Sequence, residues 1–254
     1  MLVVDNLVKT FGELRAVDSL SMSIDEKTIT LVMGPNGSGK TTLINCISGF
    51  LQPNQGKVLY KEVDITGLPP HSIAKYGLVK TFQIPAPFKK LTVLENLLVS
   101  YPSNRGESLL RASFKRSWMD DEREAVKIAT GIMKLLKLED LQDKPAWDLS
   151  GGQLKLLEIG RALMNDAKLL LLDEPVGSVN PVLAHDIFSH ILKLRKELGT
   201  TFLIVEHRIE LAMEYVDYVC AMANGRIICE GEPKEVISDE NVIESYLGEA
   251  YIGD

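Results

Sequence analysis

The sequence has little of several things that define other classes of protein. Its 254 residues include only three cysteines, at widely separated positions, and aromatic residues make up 6% of the chain. No apolar run approaches the roughly 20 residues of a membrane-spanning helix, and the first residues lack the basic start and long apolar stretch of a signal peptide. We therefore expect buried thiols rather than disulfides or a metal centre, in a cytoplasmic protein.

Basic residues are also outnumbered. The chain has 28 Lys and Arg against 35 Asp and Glu, a formal net charge of −7. Nucleic-acid-binding proteins usually carry a basic face, so this balance argues against a nucleic-acid partner. Hydrophobic residues make up 45% of the sequence and charged residues 25%, which is typical of a globular protein with one substantial core or two modest ones.

A glycine-rich run at residues 34–41 matches the pattern G-x-x-x-x-G-K-[ST]. It follows an apolar, strand-like run (29–33) and precedes a helix-like segment (42–47), which is the context this motif requires. Glycines let several backbone N–H groups converge on phosphate oxygens, and the helix adds its positive end. Lys40 would bind the β- and γ-phosphates, and the Thr41 hydroxyl would bind Mg²⁺. The predicted nucleotide-binding residues here are Gly34, Pro35, Asn36, Gly37, Ser38, Gly39, Lys40, Thr41 and Thr42.

Four consecutive leucines (169–172) lead into Asp173 and Glu174. Such a run is typical of a strand buried on both faces of a parallel sheet. Taken alone, the two carboxylates could equally mark the point where a strand emerges into solvent. Beside a phosphate loop we predict that Asp173 holds the Mg²⁺ hydration shell, and that Glu174 orients and deprotonates the attacking water.

A third motif is Leu149-Ser150-Gly151-Gly152-Gln153, which stands ahead of a helix-like segment. A helix N-terminus preceded by small residues can bind an anion. With these three motifs in order, the chain resembles the ATP-binding cassette family along nearly its whole length. More narrowly, it is similar to the ATPase subunits of branched-chain amino acid importers. The narrower resemblance rests on Phe11-Gly12 and on residues 34–41, 81–83, 91–97 and 149–163. The length of the insertion at 101–119 is similar to that of the longer of the two ATPases in such importers.

The resemblance implies roles for residues that stand outside these motifs. Phe11 occupies the position of an aromatic that stacks on adenine, and Val17 would line the same pocket. Gln83 matches a glutamine that contacts Mg²⁺ and the attacking water, and His207 matches a histidine that contacts the γ-phosphate. For single residues, a core Phe, a loop Gln and a surface His would be the ordinary alternatives. The implied catalytic set is Glu174, His207 and Gln83, and the implied Mg²⁺ set is Thr41, Gln83 and Asp173.

The resemblance also implies partners. Two cassettes, identical or different, would pack head to tail, so that each ATP lies between one subunit's Lys40 loop and the Ser150, Gly151, Gly152 and Gln153 of the other. The dimer would drive integral membrane permease subunits from the inner face of the cell membrane and act indirectly with a substrate-binding protein. One departure is Asn180, where many family members have Asp in a loop that crosses the dimer interface.

The expected fold is α/β: a P-loop NTPase core with a mainly parallel sheet, an antiparallel β subdomain and an inserted α-helical subdomain. We assign residues 1–83 and 160–254 to the core and 84–159 to the helical signature subdomain. Residues 201–205 form a predicted strand parallel to 169–173, and Asn224-Gly225 is a predicted hairpin turn. A helical stripe of apolar residues is expected to be buried: Ala125, Ile128, Ala129, Ile132, Leu135 and Leu136.

Other functions remain open from the sequence. The ATPases of urea, amide or lipopolysaccharide transporters have similar motifs, because the motor does not touch the cargo. A soluble cassette protein acting on ribosomes or DNA is a more distant alternative. Such proteins usually have two cassettes in one chain or a long coiled coil between the phosphate loop and the signature motif, and this sequence has neither.

Overall fold

The structure, a computed structural model, describes residues 1–81, 85–102, 119–177 and 179–250, without the side chains of 247–250. The strands are β1 (Leu2–Phe11), β2 (Leu14–Ile24), β3 (Ile29–Met33), β4 (Gln55–Tyr60), β5 (Val63–Asp64), β6 (Leu78–Lys80), β7 (Leu169–Asp173), β8 (Thr201–Val205), β9 (Tyr218–Ala223) and β10 (Arg226–Gly231). The helices are α1 (Lys40–Ile47), α2 (Pro70–Ala74), α3 (Val93–Leu98), α4 (Met119–Leu135), α5 (Gly151–Leu163), α6 (Pro181–Leu198), α7 (Ile209–Ala212), α8 (Pro233–Ile237) and α9 (Glu240–Ala250).

One compact unit consists of residues 1–83 and 168–254. Its six-stranded sheet has the order β10-β9-β3-β8-β7-β6, in which all neighbours are parallel except the β9–β10 pair. Every residue of β3, β7 and β8 is buried, as in a parallel sheet covered on both faces. The predicted parallel pairing of 169–173 with 201–205 is confirmed, with Leu169 opposite Thr201 and Asp173 opposite Val205.

The same unit contains a second sheet, of four antiparallel strands in the order β2-β1-β4-β5. The inward-facing residues of this sheet join one hydrophobic cluster with α1 and the parallel sheet; Leu2, Val58 and Tyr60 are among its fully buried members. The predicted hairpin is also confirmed. Asn224 and Gly225 both have positive φ, at 50° and 78°, which is the requirement of a two-residue type I′ turn.

The second compact unit, residues 84–167, contains α3, α4 and α5. Helix α5 is packed closely, because a Cβ at Gly160 would lie 3.0 Å from Leu97 and 3.1 Å from Leu136. Since all of α5 belongs to this unit, its boundary with the core follows residue 167, whereas the sequence suggested a boundary at 159. The α/β prediction, with mainly parallel and antiparallel sheets and a helical unit, is confirmed.

The prediction of a buried stripe on α4 was partly wrong. Ala125, Ala129, Ile132 and Leu136 are buried, but Ile128 is 37% exposed and Leu135 is only partly buried. Most of the 101–119 insertion lies outside the described residues. Among the residues that are described, no helix is long and apolar enough to cross a membrane.

Candidate active site

The phosphate loop joins the buried end of β3 to the start of α1. Its backbone requires glycine at two positions, because Gly34 has a φ of 148° and Gly39 a φ of 101°. A Cβ at Gly34 would lie 2.1 Å from the Met222 carbonyl oxygen, and one at Gly39 would lie 2.1 Å from that of Ala16. Side chains are therefore excluded both by conformation and by space.

The Lys40 side chain folds back into this loop. Its ammonium donates to the carbonyl oxygens of Gly34 (2.7 Å) and Pro35 (2.8 Å) and lies 3.4 Å from Ser38 Oγ. The residue is buried. The loop thus holds one positive charge close to the first backbone N–H groups of α1, an arrangement suited to a polyphosphate.

A cleft of about 310 Å³ lies against the loop. Its lining residues are Phe11, Leu14, Ala16, Asn36, Gly37, Gly39, Lys40, Thr41, Thr42 and Glu174. Phe11 is 47% exposed, and the Lys9 ammonium lies 5.2 Å from its ring centroid. Its exposed ring is available for stacking on a planar group.

Val17 is not among the residues that line this cleft, and its predicted role at the adenine stays a prediction. Successive side chains of a strand point to opposite faces, and in β2 Val17 is the one that points into the hydrophobic core. Ala16, its neighbour, forms the cleft wall instead.

Asp173 is the last residue of β7, and its carboxylate is buried. It forms a 3.0 Å ion pair with the ammonium of Lys80, the last residue of β6, and each side chain is only 7% exposed. Lys80 was not among the residues predicted from the sequence. A lysine at the end of a strand has no local signal that identifies its partner.

Glu174 follows immediately and has a strained backbone. Its φ is 48°, a left-handed conformation that is uncommon for residues other than glycine and is concentrated at functional sites. The Glu174 N–H donates to the Val205 carbonyl (2.9 Å). His207 Nδ1 lies 3.7 Å from Glu174 Oε1. The structure therefore brings Glu174 and His207 together at the edge of the cleft.

Two hydrogen bonds, one buried and one partly buried, hold the chain that follows Glu174. The N–H of Val176 donates to Glu206 Oε1 (2.8 Å), and Arg208 donates to the Val179 carbonyl oxygen (2.7 Å). Asn180, the departure noted in the sequence, accepts the Leu183 N–H (2.9 Å) and caps α6. An amide oxygen serves this purpose as well as a carboxylate does.

Glu206 was missed by sequence reasoning, although it directly follows the buried β8. It is fully buried, and Oε2 has no hydrogen-bond partner within the described part of the chain. Burial is the main cause that raises the pKa of Glu206 above its ordinary value, and the Val176 N–H opposes that shift. A carboxylate that directly follows a strand is usually solvated, so the sequence carries no local signal of this burial.

In the helical unit, the signature residues form the start of α5. Ser150 is the N-cap: its Oγ accepts the Gln153 N–H (3.3 Å), and Gln153 Oε1 accepts the Ser150 N–H (2.9 Å). This reciprocal pair is a capping box. Gly151 has open space around its Cβ position. Gln153, predicted to bind nucleotide, here bonds to its own helix cap, and Gln83 lies outside the described residues.

The sequence profile of the ABC transporter family matches residues 17–177, more than half of the chain. The protein belongs to the ATP-binding cassette family. A second profile, for the branched-chain amino acid ATP-binding cassette transporter, matches residues 226–252 of this cassette. The Asp173-Glu174 pair and the signature residues all fall within the first match.

Relatives of this ATP-binding cassette align along almost its whole length. A probable branched-chain amino acid transport ATP-binding protein LivG from Methanocaldococcus jannaschii is 49% identical, over 96% of both chains. One from Archaeoglobus fulgidus is 48% identical, over 98% of this chain and 95% of the relative. BraF of Pseudomonas aeruginosa, a high-affinity branched-chain amino acid transport ATP-binding protein, is 37% identical over 98% of each.

Solved cassettes have the same fold. The ADP conformation of an ATP-binding cassette of an ABC transporter superposes with a TM-score of 0.86 at 48% identity, covering 98% of both chains. A dimeric cassette in a post-hydrolysis state, bound to ADP and Pi, has a TM-score of 0.73 at 26% identity, covering 92% of this chain and 99% of that one.

Proposed function

We propose that this cassette is the ATP-hydrolysing motor of an importer of branched-chain amino acids. The support for this cargo is kinship. The relatives at 48–49% identity are named as branched-chain amino acid transport ATP-binding proteins, and a profile of the same kind matches residues 226–252. We therefore prefer this cargo to urea, amides or lipopolysaccharide.

One observation carries the catalytic part of the proposal: Glu174 lines the same cleft as the phosphate loop, and His207 lies beside it. In this arrangement, Lys40 binds the β- and γ-phosphates while the Phe11 ring stacks on the adenine. Glu174 accepts a proton from the attacking water, and His207 contacts the γ-phosphate. The left-handed backbone of Glu174 is held by hydrogen bonds of its N–H to the Val205 carbonyl and of its own carbonyl to the Gly177 N–H.

The residues at this site fit Mg²⁺. Mg²⁺ is usually bound through one or two carboxylates together with substrate phosphates, rather than by a cage of protein ligands. Asp173 already holds a positive charge, the Lys80 ammonium, and Thr41 lines the cleft. Asp173, Thr41 and Gln83 would hold the ion, which when bound neutralises charge developing on the phosphates.

A second cassette would complete each site. The solved dimer of a related cassette supports this assembly, in which Ser150 and the α5 N-terminus of one subunit would bind the γ-phosphate of ATP held by the other. Closing and opening of that dimer would move permease subunits at the inner face of the cell membrane. ATP shifts the dimer equilibrium by binding the closed form better than the open one.

The test is a pull-down from solubilised host membranes with tagged Glu174→Gln protein, ATP and Mg²⁺. We expect to recover two polytopic permease chains and a second cassette, together with a substrate-binding protein that binds branched-chain amino acids. Recovery of ribosomal or DNA-associated proteins without any membrane protein would overturn the transport proposal. A binding protein for urea, amides or another cargo would overturn the assignment of the cargo alone.

A further inference from the structure

The ion pair between Lys80 and Asp173 connects a residue with no assigned role to the carboxylate proposed for Mg²⁺. The two charged groups are 3.0 Å apart, and each side chain is 7% exposed. A buried carboxylate that carries its charge is stabilised by a counter-charge, because removing an ion from water is costly. The Lys80 ammonium supplies that charge here.

Lys80 has a second set of partners on the helix that follows the phosphate loop and on the turn beyond it. Its ammonium donates to Asn45 Oδ1 of α1 at 2.6 Å, and it lies 5.7 Å from the ring centroid of Phe50. An amide oxygen and an aromatic face can both stabilise an ammonium. Lys80 therefore retains favourable contacts if Asp173 takes another cation.

The chemistry of lysine suits such an exchange. Its charge is compact and stands at the end of a flexible four-carbon stem, unlike the rigid, bidentate fork of arginine. A cation that binds the Asp173 carboxylate, directly or through water, has to displace the Lys80 ammonium or is repelled by it at short range. The metal affinity of the site is then lower than Asp173 alone would provide.

We propose that Lys80 is a built-in counter-cation of Asp173, which balances its charge before nucleotide binds and gives way to Mg²⁺ while remaining bonded to Asn45. The inference rests on the proposed function, since it takes Asp173 as the residue that holds the ion. Lys80 is thus a positioning residue: it sets the charge and orientation of Asp173 and does not touch the reacting atoms.

The experiment measures Mn²⁺ binding, by electron paramagnetic resonance of the free ion, to the full chain saturated with ADP. ADP is not hydrolysed, so the readout does not depend on turnover. The variants are Lys80→Met, which removes the charge at similar length, and Lys80→Arg, which keeps it. Lys75→Met is the matched control, because Lys75 is exposed on the same stretch of chain. Asp173→Asn reports whether Asp173 binds the ion at all.

We expect Lys80→Met to bind Mn²⁺ more tightly, on the order of tenfold if the ion pair occupies Asp173 about nine-tenths of the time. Lys75→Met should resemble the wild type. Lys80→Arg keeps the charge on a rigid, bidentate group and should bind Mn²⁺ no more tightly than the wild type. Without metal, Lys80→Met should unfold at lower denaturant concentration, and Mn²⁺ with ADP should restore more of its stability than it adds to the wild type. If Lys80→Met does not fold, Lys80→Gln replaces it as the variant without the positive charge.

A purely structural lysine gives a different result, since its removal would weaken Mn²⁺ binding or leave it unchanged. Either outcome, together with a clear loss of binding in Asp173→Asn, overturns the role of Lys80 and leaves the proposed function intact. If Asp173→Asn binds Mn²⁺ as the wild type does, the metal site itself is wrong, and both proposals fail at that point.

Discussion

Two helix N-termini, one in each compact unit, are proposed to bind phosphate, yet they are built differently. Helix α1 begins after Gly39, which has no side chain to offer, and the loop ahead of it contains the Lys40 ammonium. Helix α5 begins after Ser150, and a capping box with Gln153 satisfies two of its backbone N–H groups. One end adds a fixed positive charge, whereas the other satisfies two of its donors with its own side chains.

The difference indicates which end binds nucleotide first. At α1, the donors and the charge face a cleft within a single chain, so this end can bind ATP without a partner. At α5, a phosphate has to replace the Ser150 hydroxyl as acceptor or receive a bond from it, and the 3.3 Å contact to Gln153 N–H is long enough to be exchanged. Under the proposed function, the α5 end would therefore be a weak site by itself and would act when a second cassette presents its ATP.

The largest expected effect comes from a variant that blocks hydrolysis and leaves both helix N-termini unchanged. Glu174→Gln removes the proton acceptor, so turnover should fall by about 10²–10⁴-fold, while ATP affinity stays near that of the wild type. Because ATP persists, the variant should form a stable dimer in the presence of ATP, measured by sedimentation. Wild-type turnover would refute the role of Glu174, and a monomer that retains ATP would refute the proposed function of the α5 end.

Matched glycine substitutions at the two ends should have opposite effects on stability. Gly39→Ala places a Cβ 2.1 Å from the Ala16 carbonyl oxygen at a φ of 101°, which should lower the free energy of unfolding by about 3 kcal/mol. Gly151→Ala meets open space at the start of α5 and should stabilise by up to about 1 kcal/mol. Denaturant unfolding measures both variants. Equal losses would show that the two N-termini do not differ in backbone constraint.

The charge at the α1 end can be removed directly. Lys40→Ala should weaken ATP binding to the single chain by roughly 10- to 100-fold, since hydrogen bonds to charged groups contribute about 1.5–3 kcal/mol. Titration with a fluorescent nucleotide measures the affinity. Lys75→Ala, at an exposed position, is the control for the loss of one positive charge. Unchanged affinity in Lys40→Ala would mean that the backbone donors of the loop bind the phosphates alone.

The sequence predicted best what local motifs determine. The glycines of the phosphate loop were predicted to allow a tight turn, and Gly34 and Gly39 have positive φ in the structure. Buried apolar runs identified β7 and β8. The functional roles of the site residues stay predictions. The sequence did not show that Ala16 lines the cleft while Val17 faces the core, because strand alternation there depends on register with neighbouring strands.

Contacts between side chains that are distant in sequence could not be predicted. Lys80 and Asp173 end two neighbouring strands, but the sequence alone does not show that β6 lies beside β7. The burial of Glu206 could not be predicted either, because its partner, the Val176 N–H, is distant in sequence. The predicted buried stripe on α4 was too wide, because periodicity identifies an apolar face without showing how much of it a neighbouring element covers. Ile128, for example, is exposed.

The smallest expected effect tests whether Ser150 acts as a cap or as a ligand. Ser150→Ala loses the capping hydroxyl and should cost about 1 kcal/mol in unfolding. Ser150→Asp keeps a strong cap and adds a favourable negative charge at the helix N-terminus, so stability should be retained or rise slightly. That charge would repel the γ-phosphate, and ATP-dependent dimerisation in a Glu174→Gln background should be lost, with ATP binding to the single chain unaffected. If Ser150→Asp dimerises as well as its parent, Ser150 is a cap alone, and the contrast between the two helix ends has no functional meaning.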